Sequence, residues 1–243
     1  MFDRARVDFD HNRLLKKVAN GVFTPLGLVQ HGSSRTWFDD HGWWVVTVQF
    51  DASGFGKGSY LRVGTSPLWM PTDYIGIAYE LRDTWAHPHA NFGTKFIEAR
   101  RPEWWERDVG ILAEGAADYV RELRATRRDV RTFLDLERET NNRPAELAIP
   151  AGLLGQDVEA TPGLAHLEEM FTPGQYTHAA ARRAWDEWVH ARVDDLQRAV
   201  GDRSAFLQLV ADNVARTRVS QRLPPLPGET IVRDLHVASL PRS

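Results

Sequence analysis

The fold is decided by one stretch of the sequence, WWVVTVQF at residues 43–50. β-Branched and aromatic residues fill this stretch, a composition typical of a strand. Because side chains alternate across a strand, one face consists of Trp44, Val46, Val48 and Phe50. The other face consists of Trp43, Val45, Thr47 and Gln49. The first face is wholly apolar, so we predict that it lies against the core.

Turn signals on both sides of this stretch predict further strands. Residues 29–38 predict a polar, turn-rich strand, and Asp39-Asp40-His41-Gly42 is a turn signal. A loop with three glycines at residues 51–58 is followed by extended stretches at 59–64 and 74–82. Consecutive strands joined by short turns are antiparallel, so we predict a meander of about four strands.

Helices are predicted on both sides of the meander. Residues 1–23 predict a short helix, which Asp10 or Asn12 can cap and Asn20-Gly21 ends. From about residue 107 to Phe133, apolar side chains recur every three or four residues, which predicts one helix of about 30 residues. This heptad-like stripe is also a candidate homodimer seam, formed by Val109, Leu112, Ala116, Tyr119, Leu123 and Val130.

These elements together predict an α+β protein with an N-terminal helix, an antiparallel β-meander and a helical C-terminal half. We place an α+β domain with the sheet and the long helix at residues 1–140. Residues 141–174, where four prolines alternate with four glycines, predict a connector with short helices at most. Residues 175–243 predict a helical region packed on the first domain, and its tail from residue 230 either adds an edge strand or hangs free.

Composition excludes several classes of function. The chain has 243 residues, a formal net charge of -3 and no cysteine. The lack of cysteine excludes disulfides, thiolate metal sites and a cysteine nucleophile. The slightly acidic balance argues against a protein held to nucleic acid mainly by charge. The sequence contains no apolar run of membrane-spanning length and no leader pattern in residues 1–20, which predicts a cytoplasmic protein.

The candidate binding site lies on the second face of the predicted sheet. This mixed face carries aromatic and polar side chains: Trp43, Thr47, Gln49, Tyr60, Arg62, Tyr74, Glu80 and Arg82. Whether Arg35 and Trp37 join it depends on the register of their strand. Aromatic walls with a few polar groups are typical of ligand sites, whereas a covering helix would make the same rings core residues. The candidate ligand-binding residues are Arg35, Trp37, Trp43, Gln49, Tyr60 and Arg62.

Three segments of the chain resemble a bacterial family of uncharacterised proteins. They are GSSRTWFDD at residues 32–40, GWW at 42–44 and GSYLRVG at 58–64. Over about residues 10–135 the chain resembles domain of unknown function 4304, in which a helix leads through a glycine and a turn into a meander that ends in a glycine. Leu26-Gly27 and Arg62-Val63-Gly64 would take those roles. The resemblance implies an α+β fold and brings no activity, cofactor or catalytic residue.

Other motifs favour structural interpretations. The glycine loop at residues 53–59 lacks P-loop spacing and joins two strands, which favours a hairpin over a loose anion-binding loop. His87-Pro88-His89 has no evident third ligand, which favours a surface loop over a metal site. Asp39 and Asp40 are adjacent, and an Asx turn is more common there than an acid–base pair. We therefore predict no catalytic residue, no metal site and no cofactor.

Three functional hypotheses remain open. We favour a non-catalytic binding module that engages a protein or a small ligand through its tryptophan-rich sheet region. The second is a hydrolytic enzyme with a site built on Arg35, Asp39, Gln49 and Arg62. The third is nucleic-acid binding by the five arginines between residues 121 and 131, with stacking from Trp37 or Trp43. Acidic residues between those arginines favour a salt-bridged helix surface over this third hypothesis.

Overall fold

The computed structural model describes residues 9–53, 56–69, 79–80, 96–140, 144–170 and 191–240. The chain forms two compact units, the first of Met1–Pro67 and Ile75–Ala125, the second of Leu68–Tyr74 and Thr126–Ser243. An N-terminal helix, an antiparallel sheet and a helical C-terminal half are all present. The predicted α+β class is therefore confirmed.

Helix α1 (His11–Phe23) begins at one of the two predicted caps. The carboxylate of Asp10 accepts a hydrogen bond of 2.9 Å from the backbone N–H of Arg13. The helix continues beyond Asn20-Gly21, where the sequence predicted its end. Its buried residues recur every four positions as Leu15, Ala19 and Phe23, so the last turn is held by core packing.

Among the described residues, six strands form one antiparallel sheet. They are β1 (Val29–Gln30), β2 (Thr36–Asp40), β3 (Trp44–Ala52), β4 (Gly58–Pro67), β5 (Tyr79–Glu80) and β6 (Ile97–Glu98). The first five follow each other in chain order, and β6 pairs with the start of β4. The single strand predicted at residues 29–38 is two strands, because a turn with Gly32 at a φ of 57° reverses the chain between them.

The strand register confirms the predicted division of β3 and β4 into two faces. Phe50 lies opposite Leu61, and Gln49 lies opposite Arg62. The apolar side chains of the first face are buried; they include Trp37, Trp44, Val46, Val48, Phe50, Leu61 and Val63. Helix α1 packs on this face, where the ring centroids of Phe23 and Trp37 lie 5.4 Å apart.

The long helix predicted from residue 107 is interrupted. It consists of α2 (Pro102–Thr126) and α3 (Val130–Thr140). The carboxylate of Asp129 accepts a hydrogen bond of 2.8 Å from the N–H of Thr132 and so starts a new helix. The apolar spacing continues across this break, which explains why the pattern predicted one helix.

The candidate homodimer seam is buried within a single chain. Val109, Ala116 and Val130 have no exposed surface, and Tyr119, the most exposed of the six, keeps 8%. Side chains of a dimer seam must be exposed in the isolated chain, and these six are buried, so the prediction of a homodimer through this stripe is corrected.

The Pro- and Gly-rich region forms two helices, α4 (Pro144–Leu153) and α5 (Asp157–Met170), where a connector was predicted. Pro150 and Pro162 lie inside them, although an internal proline removes a helix hydrogen bond. Apolar burial offsets that cost. The helices α3, α4 and α5 share one buried cluster, formed by Leu134, Leu147, Ala151 and Ala160.

The remaining described residues of the second unit are mainly helical. Residues 191–199 form α6, and α7 (Arg203–Ser220) and α8 (Gly228–Ala238) follow. Helix α8 stands where an edge strand or free tail was predicted, because its amphipathic pattern buries Ile231, Leu235 and Ala238 on one face. None of the described helices combines the length and the apolarity that a membrane span requires.

Candidate binding site

Three of the six candidate ligand-binding residues lie together on the mixed face. Gln49 of β3 lies opposite Arg62 of β4, and Tyr60 lies opposite Asp51. Directly opposed side chains of antiparallel strands share a face, with Cβ atoms about 5 Å apart. All four side chains are partly exposed. We call Gln49, Asp51, Tyr60 and Arg62 the open end of the mixed face.

The polar groups of the open end meet at one carboxylate. Gln49 Nε2 donates to Asp51 Oδ1, and Arg62 Nη1 donates to Asp51 Oδ2 at 3.4 Å. The side chains of Arg62 and Asp51 keep 34% and 29% of their surface exposed. Water therefore screens the pair, which contributes little to stability. Both charges stay where a ligand can reach them.

An aromatic pair flanks this polar group. The ring centroids of Tyr60 and Phe96 lie 5.2 Å apart, and Phe96 is exposed. Gly58 makes the arrangement possible, because a Cβ at that position would lie 2.3 Å from the carbonyl oxygen of Ile97 and 2.4 Å from the Phe96 ring. The absent side chain thus lets the backbone of β6 approach β4 and brings Phe96 beside Tyr60.

A second part of the mixed face is buried, while Tyr74 and Arg82, also predicted for this face, lie outside the described residues. We call this part the closed end; it consists of Phe38, Val45, Thr47, Gly64 and Ser66. Thr47 Oγ1 is buried and has no hydrogen-bond partner among the described residues. An unpaired buried hydroxyl costs free energy and is out of reach of a ligand in solution. The closed end is therefore core.

The two candidate tryptophans are core residues as well. Trp37 pairs with Val48, which places it on the apolar face, and it is fully buried. Its Nε1 donates a hydrogen bond of 2.7 Å to Asn20 Oδ1 of α1. Trp43 precedes β3 and keeps 4% of its surface exposed. Their burial corrects the sequence analysis, because a ring enclosed by the core cannot stack on a ligand or a base.

Arg35 lies apart from the open end. Its carbonyl oxygen accepts a hydrogen bond of 2.9 Å from the N–H of Phe50, next to the start of β2. Its guanidinium reaches the first turn of α1, where it donates to Asn12 Oδ1 and lies 3.5 Å from His11 Nε2. Arg35 is therefore directed toward α1, which packs on the apolar face.

Asp39 also belongs to the apolar face, since it pairs with Val46. Arg124 Nε of α2 and His41 Nε2 each donate to Asp39 Oδ2 at 2.6 Å. Burial acts to raise the pKa of Asp39, but the hydrogen bonds and positive charges of His41 and Arg124 outweigh it and hold that pKa below its usual value. Arg124 also donates to the Leu26 carbonyl oxygen at 2.8 Å, so this pair fastens α2 to the sheet.

The four residues of the suggested hydrolytic site, Arg35, Asp39, Gln49 and Arg62, do not come together in the structure. Asp39 and Gln49 lie on opposite faces of the sheet, and Arg62 shares the face of Gln49. The guanidinium of Arg35 is hydrogen-bonded to Asn12 of α1. The four residues therefore do not converge on one point, and general acid–base chemistry needs its groups within hydrogen-bonding reach of the same substrate atom.

The predicted Asx turn is present next to Asp39. The carboxylate of Asp40 accepts a hydrogen bond of 3.0 Å from the N–H of Gly42, which has a φ of 81°. The ring of His41 stacks on Trp44, with centroids 4.1 Å apart and an angle of 11° between the planes. The turn thus directs His41 back toward the sheet.

The arginines of α2 are engaged in ion pairs. Arg121 Nη1 lies 2.5 Å from Asp118 Oδ1, and Arg124 pairs with Asp39. These contacts agree with the salt-bridged helix surface that the sequence favoured over nucleic-acid binding. The burial of Trp37 and Trp43 also removes the stacking rings of that hypothesis.

Two motifs fall wholly or partly outside the described residues. His87-Pro88-His89 lies outside them, as do residues 54–55 of the glycine loop. Within the part of the chain that the structure describes, no group of three or more His, Asp or Glu side chains could hold a metal ion.

Sequence reasoning missed two residues of the site, Asp51 and Phe96. The predicted strand ended at Phe50, whereas β3 continues to Ala52. Extending the alternation by one residue would have placed Asp51 beside Gln49. Phe96 gave no such signal, because it reaches the site through the two-residue strand β6.

Comparison of the chain with family models, with curated proteins and with solved structures found no match. The resemblance to domain of unknown function 4304 thus stays a prediction from three segments of sequence. The candidate site rests on the geometry of this chain alone.

Proposed function

We propose that this chain is a non-catalytic binding module whose recognition surface is the open end of the mixed face. The observation that carries this proposal is a contrast along one face of one sheet. The closed end is buried, whereas Gln49, Asp51, Tyr60 and Arg62 keep part of their surface in solvent. Polar and aromatic groups held on strands give a rigid surface, which limits the entropy lost on binding.

The chemistry of the open end favours a protein partner. Arginine and tyrosine are among the residue types that contribute most to protein interfaces. Phe96 adds exposed apolar area beside Tyr60. Arg62 and Asp51 compensate each other's charge, so the surface offers donors and acceptors with little net charge. Such a surface suits a polar polypeptide segment better than a highly charged ligand.

Affinity capture with matched variants tests the proposal. Arg62→Gln removes the cation of the open end, and Arg121→Gln removes an exposed arginine of α2 that also pairs with one aspartate. We expect the wild type and R121Q to recover the same stoichiometric partner. The purified partner should bind R62Q about tenfold more weakly, the loss typical of an interface arginine.

Two outcomes of the capture experiment would contradict the proposal. One is a partner that binds the wild type, R62Q and R121Q equally, because the open end would then not be the interface. The other is the recovery of no stoichiometric partner under conditions that keep the chain folded.

A bacterial, cytoplasmic setting is part of the proposal. The three segments that resemble domain of unknown function 4304 support a bacterial source. Fractionation of cells that express the chain, followed by immunoblotting, tests its location: recovery in the cytoplasmic fraction is expected, and recovery with membranes or culture medium would contradict it.

A further inference from the structure

The second unit contains a cavity of about 170 Å³ between two of its helix–helix turns. One turn joins α4 to α5, and the other joins α6 to α7. Gly155 and Asp157 at the first turn and Gly201 and Arg203 at the second form the rim of the cavity. All four residues are exposed, so the cavity is open to solvent and a ligand can enter it.

The floor of the cavity is apolar. Ala199 of α6 and Phe206 of α7 line it and are buried. The Phe206 ring lies against Gly152 of α4, where a Cβ would come within 2.3 Å of a ring carbon. Because Gly152 has no side chain, α7 approaches α4 closely and the ring closes the bottom of the cavity. A hydrocarbon group that enters the cavity would leave water for an apolar surface, which is favourable.

The two turns hold the cavity open. A Cβ built on Gly155 or on Gly201 would meet no atom within 4 Å, so space is free beside both residues. The N–H groups of Gln156 and Asp202 each donate a hydrogen bond of 2.9 Å to a carbonyl oxygen of the preceding helix. These bonds fix the course of both turns before a ligand arrives. Little ordering is therefore left to be done on binding, which favours affinity.

Two charged side chains of opposite sign line the cavity, and neither meets a counter-charge. Arg203 Nη2 donates to the carbonyl oxygen and to the hydroxyl of Ser239, at 3.1 and 3.0 Å, and both acceptors are neutral. Within the part of the chain that the structure describes, neither Arg203 nor Asp157 forms an ion pair. The next acid of α5, Glu159, is by contrast paired with Arg138. Both charges of the cavity are thus available to a ligand.

We infer that this cavity binds a small α-amino acid with a short hydrocarbon side chain. At neutral pH such a molecule carries a carboxylate and an ammonium on the same carbon atom. The carboxylate would accept from the guanidinium of Arg203, and the ammonium would donate to the carboxylate of Asp157. The hydrocarbon side chain would cover the apolar floor. A simple anion or a simple cation would meet only one of the two charges.

The volume of the cavity limits the size of the ligand. The cavity measures about 170 Å³, close to the roughly 150 Å³ that hold one benzene molecule in an engineered protein core. L-Valine and smaller apolar amino acids are of that size. Pockets for drug-sized ligands measure about 300 to 1,000 Å³, so a nucleotide or an aromatic cofactor does not fit. L-Valine is therefore the probe that uses the floor and both charges.

NMR titration of the full isotope-labelled chain with L-valine tests the inference. The backbone amide signals of Gly155 and Gly201 should shift and saturate, whereas those of Gln49 and Arg62 at the open end should not move. Isovalerate is L-valine without its ammonium, and isobutylamine is L-valine without its carboxylate. Each should bind about fivefold more weakly than L-valine, as expected for one charge-assisted hydrogen bond at a partly solvated rim. Absence of saturable shifts, or binding of either analogue as tight as that of L-valine, would overturn the inference.

Asp157→Asn tests the ammonium contact. It removes one exposed charge and should weaken L-valine binding about fivefold. It should leave the binding of isovalerate unchanged, because isovalerate has no ammonium. Asp212→Asn is the matched control, since Asp212 is an exposed aspartate of α7 outside the lining of the cavity. If D157N and D212N bind L-valine equally well, the inference fails.

Arg203→Gln tests the carboxylate contact. It should weaken the binding of L-valine and of isovalerate by a similar factor and leave that of isobutylamine unchanged. Arg233→Gln removes an exposed arginine of α8 that pairs with Asp234, and it is the matched control with no change expected. Unchanged binding of L-valine in R203Q would contradict the inference.

The two variants keep the test decisive. Arg203 also bonds to Ser239, so R203Q may be replaced by D157N alone if it fails to fold. The result does not bear on the proposed recognition surface, because the cavity belongs to the second unit and the open end to the first.

Discussion

The two ends of the mixed face lie on the same strands and follow the same alternation, yet one is core and the other is surface. At the closed end, Val45 and Thr47 have no exposed surface. Two residues further along β3, Gln49 is partly exposed and bonded to Asp51. Alternation therefore assigns a side chain to a face, whereas the elements that cover that face decide whether the side chain packs in the core or stays open to a ligand.

Removing a ring from each end should give the largest difference in stability. Phe38→Ala empties a buried site and should lower the free energy of unfolding by about 3 to 4 kcal/mol. Phe96→Ala removes an exposed ring and should cost below about 1 kcal/mol. Urea denaturation of both variants measures the two values, and similar losses would show that the open end is covered.

The Asp39–Arg124 and Asp51–Arg62 pairs should also differ in how much each contributes to the free energy of unfolding. Asp39→Asn removes the carboxylate that accepts hydrogen bonds of 2.6 Å from Arg124 and His41, and we expect a loss of about 2 kcal/mol at neutral pH. Asp51→Asn disrupts an exposed, screened pair and should cost below about 1 kcal/mol. Chemical denaturation at pH 7 measures both losses, and a greater loss for D51N would contradict this ranking.

The Asp39–Arg124 pair predicts that the stability of the fold depends on pH. The pKa of Asp39 is lower in the folded chain than its ordinary value. Its contribution is therefore complete above the ordinary carboxyl pKa and is lost as the pH falls through the folded-state value. Denaturation midpoints measured from neutral to acidic pH should fall less steeply for D39N than for the wild type. Parallel curves for the two proteins would contradict the assignment.

A small gain in stability is expected at the closed end. Thr47→Val replaces a buried hydroxyl that has no partner with a methyl group of similar size, and should stabilise the fold by up to about 1 kcal/mol. Thr217→Val is the matched control, because the hydroxyl of Thr217 donates to the Asn213 carbonyl oxygen at 2.9 Å. Thermal unfolding should separate the two, and a destabilised T47V would show that its hydroxyl is satisfied.

The sequence predicted which residues of β3 and of β4 share a face, because side chains alternate regularly along each of these strands. It could not place Trp37, whose face depends on the turn at Gly32 and hence on the register of β2. It also missed the helix break at Asp129, since the apolar spacing continues through it. Both failures are of one kind: a local pattern does not report what a distant segment packs against.

For the same reason, the sequence could not predict which part of the mixed face is covered and which part is exposed. Tyr60 and Thr47 belong to one face by alternation, but one is partly exposed and the other buried. The α+β class was predictable because it needs only the order of elements. The candidate site needed the register, the length of β3 and the position of Phe96.

Tyrosine nitration of the free, folded chain tests the openness of the recognition surface most directly. Tyr60 of the open end is partly exposed, and Tyr119 of α2 keeps 8% of its surface and serves as the internal control. Mass spectrometry of the peptides after mild treatment with tetranitromethane should find nitrotyrosine at Tyr60 and little at Tyr119. Protection of Tyr60 equal to that of Tyr119 would mean that the whole mixed face is core, and would contradict the proposed recognition surface.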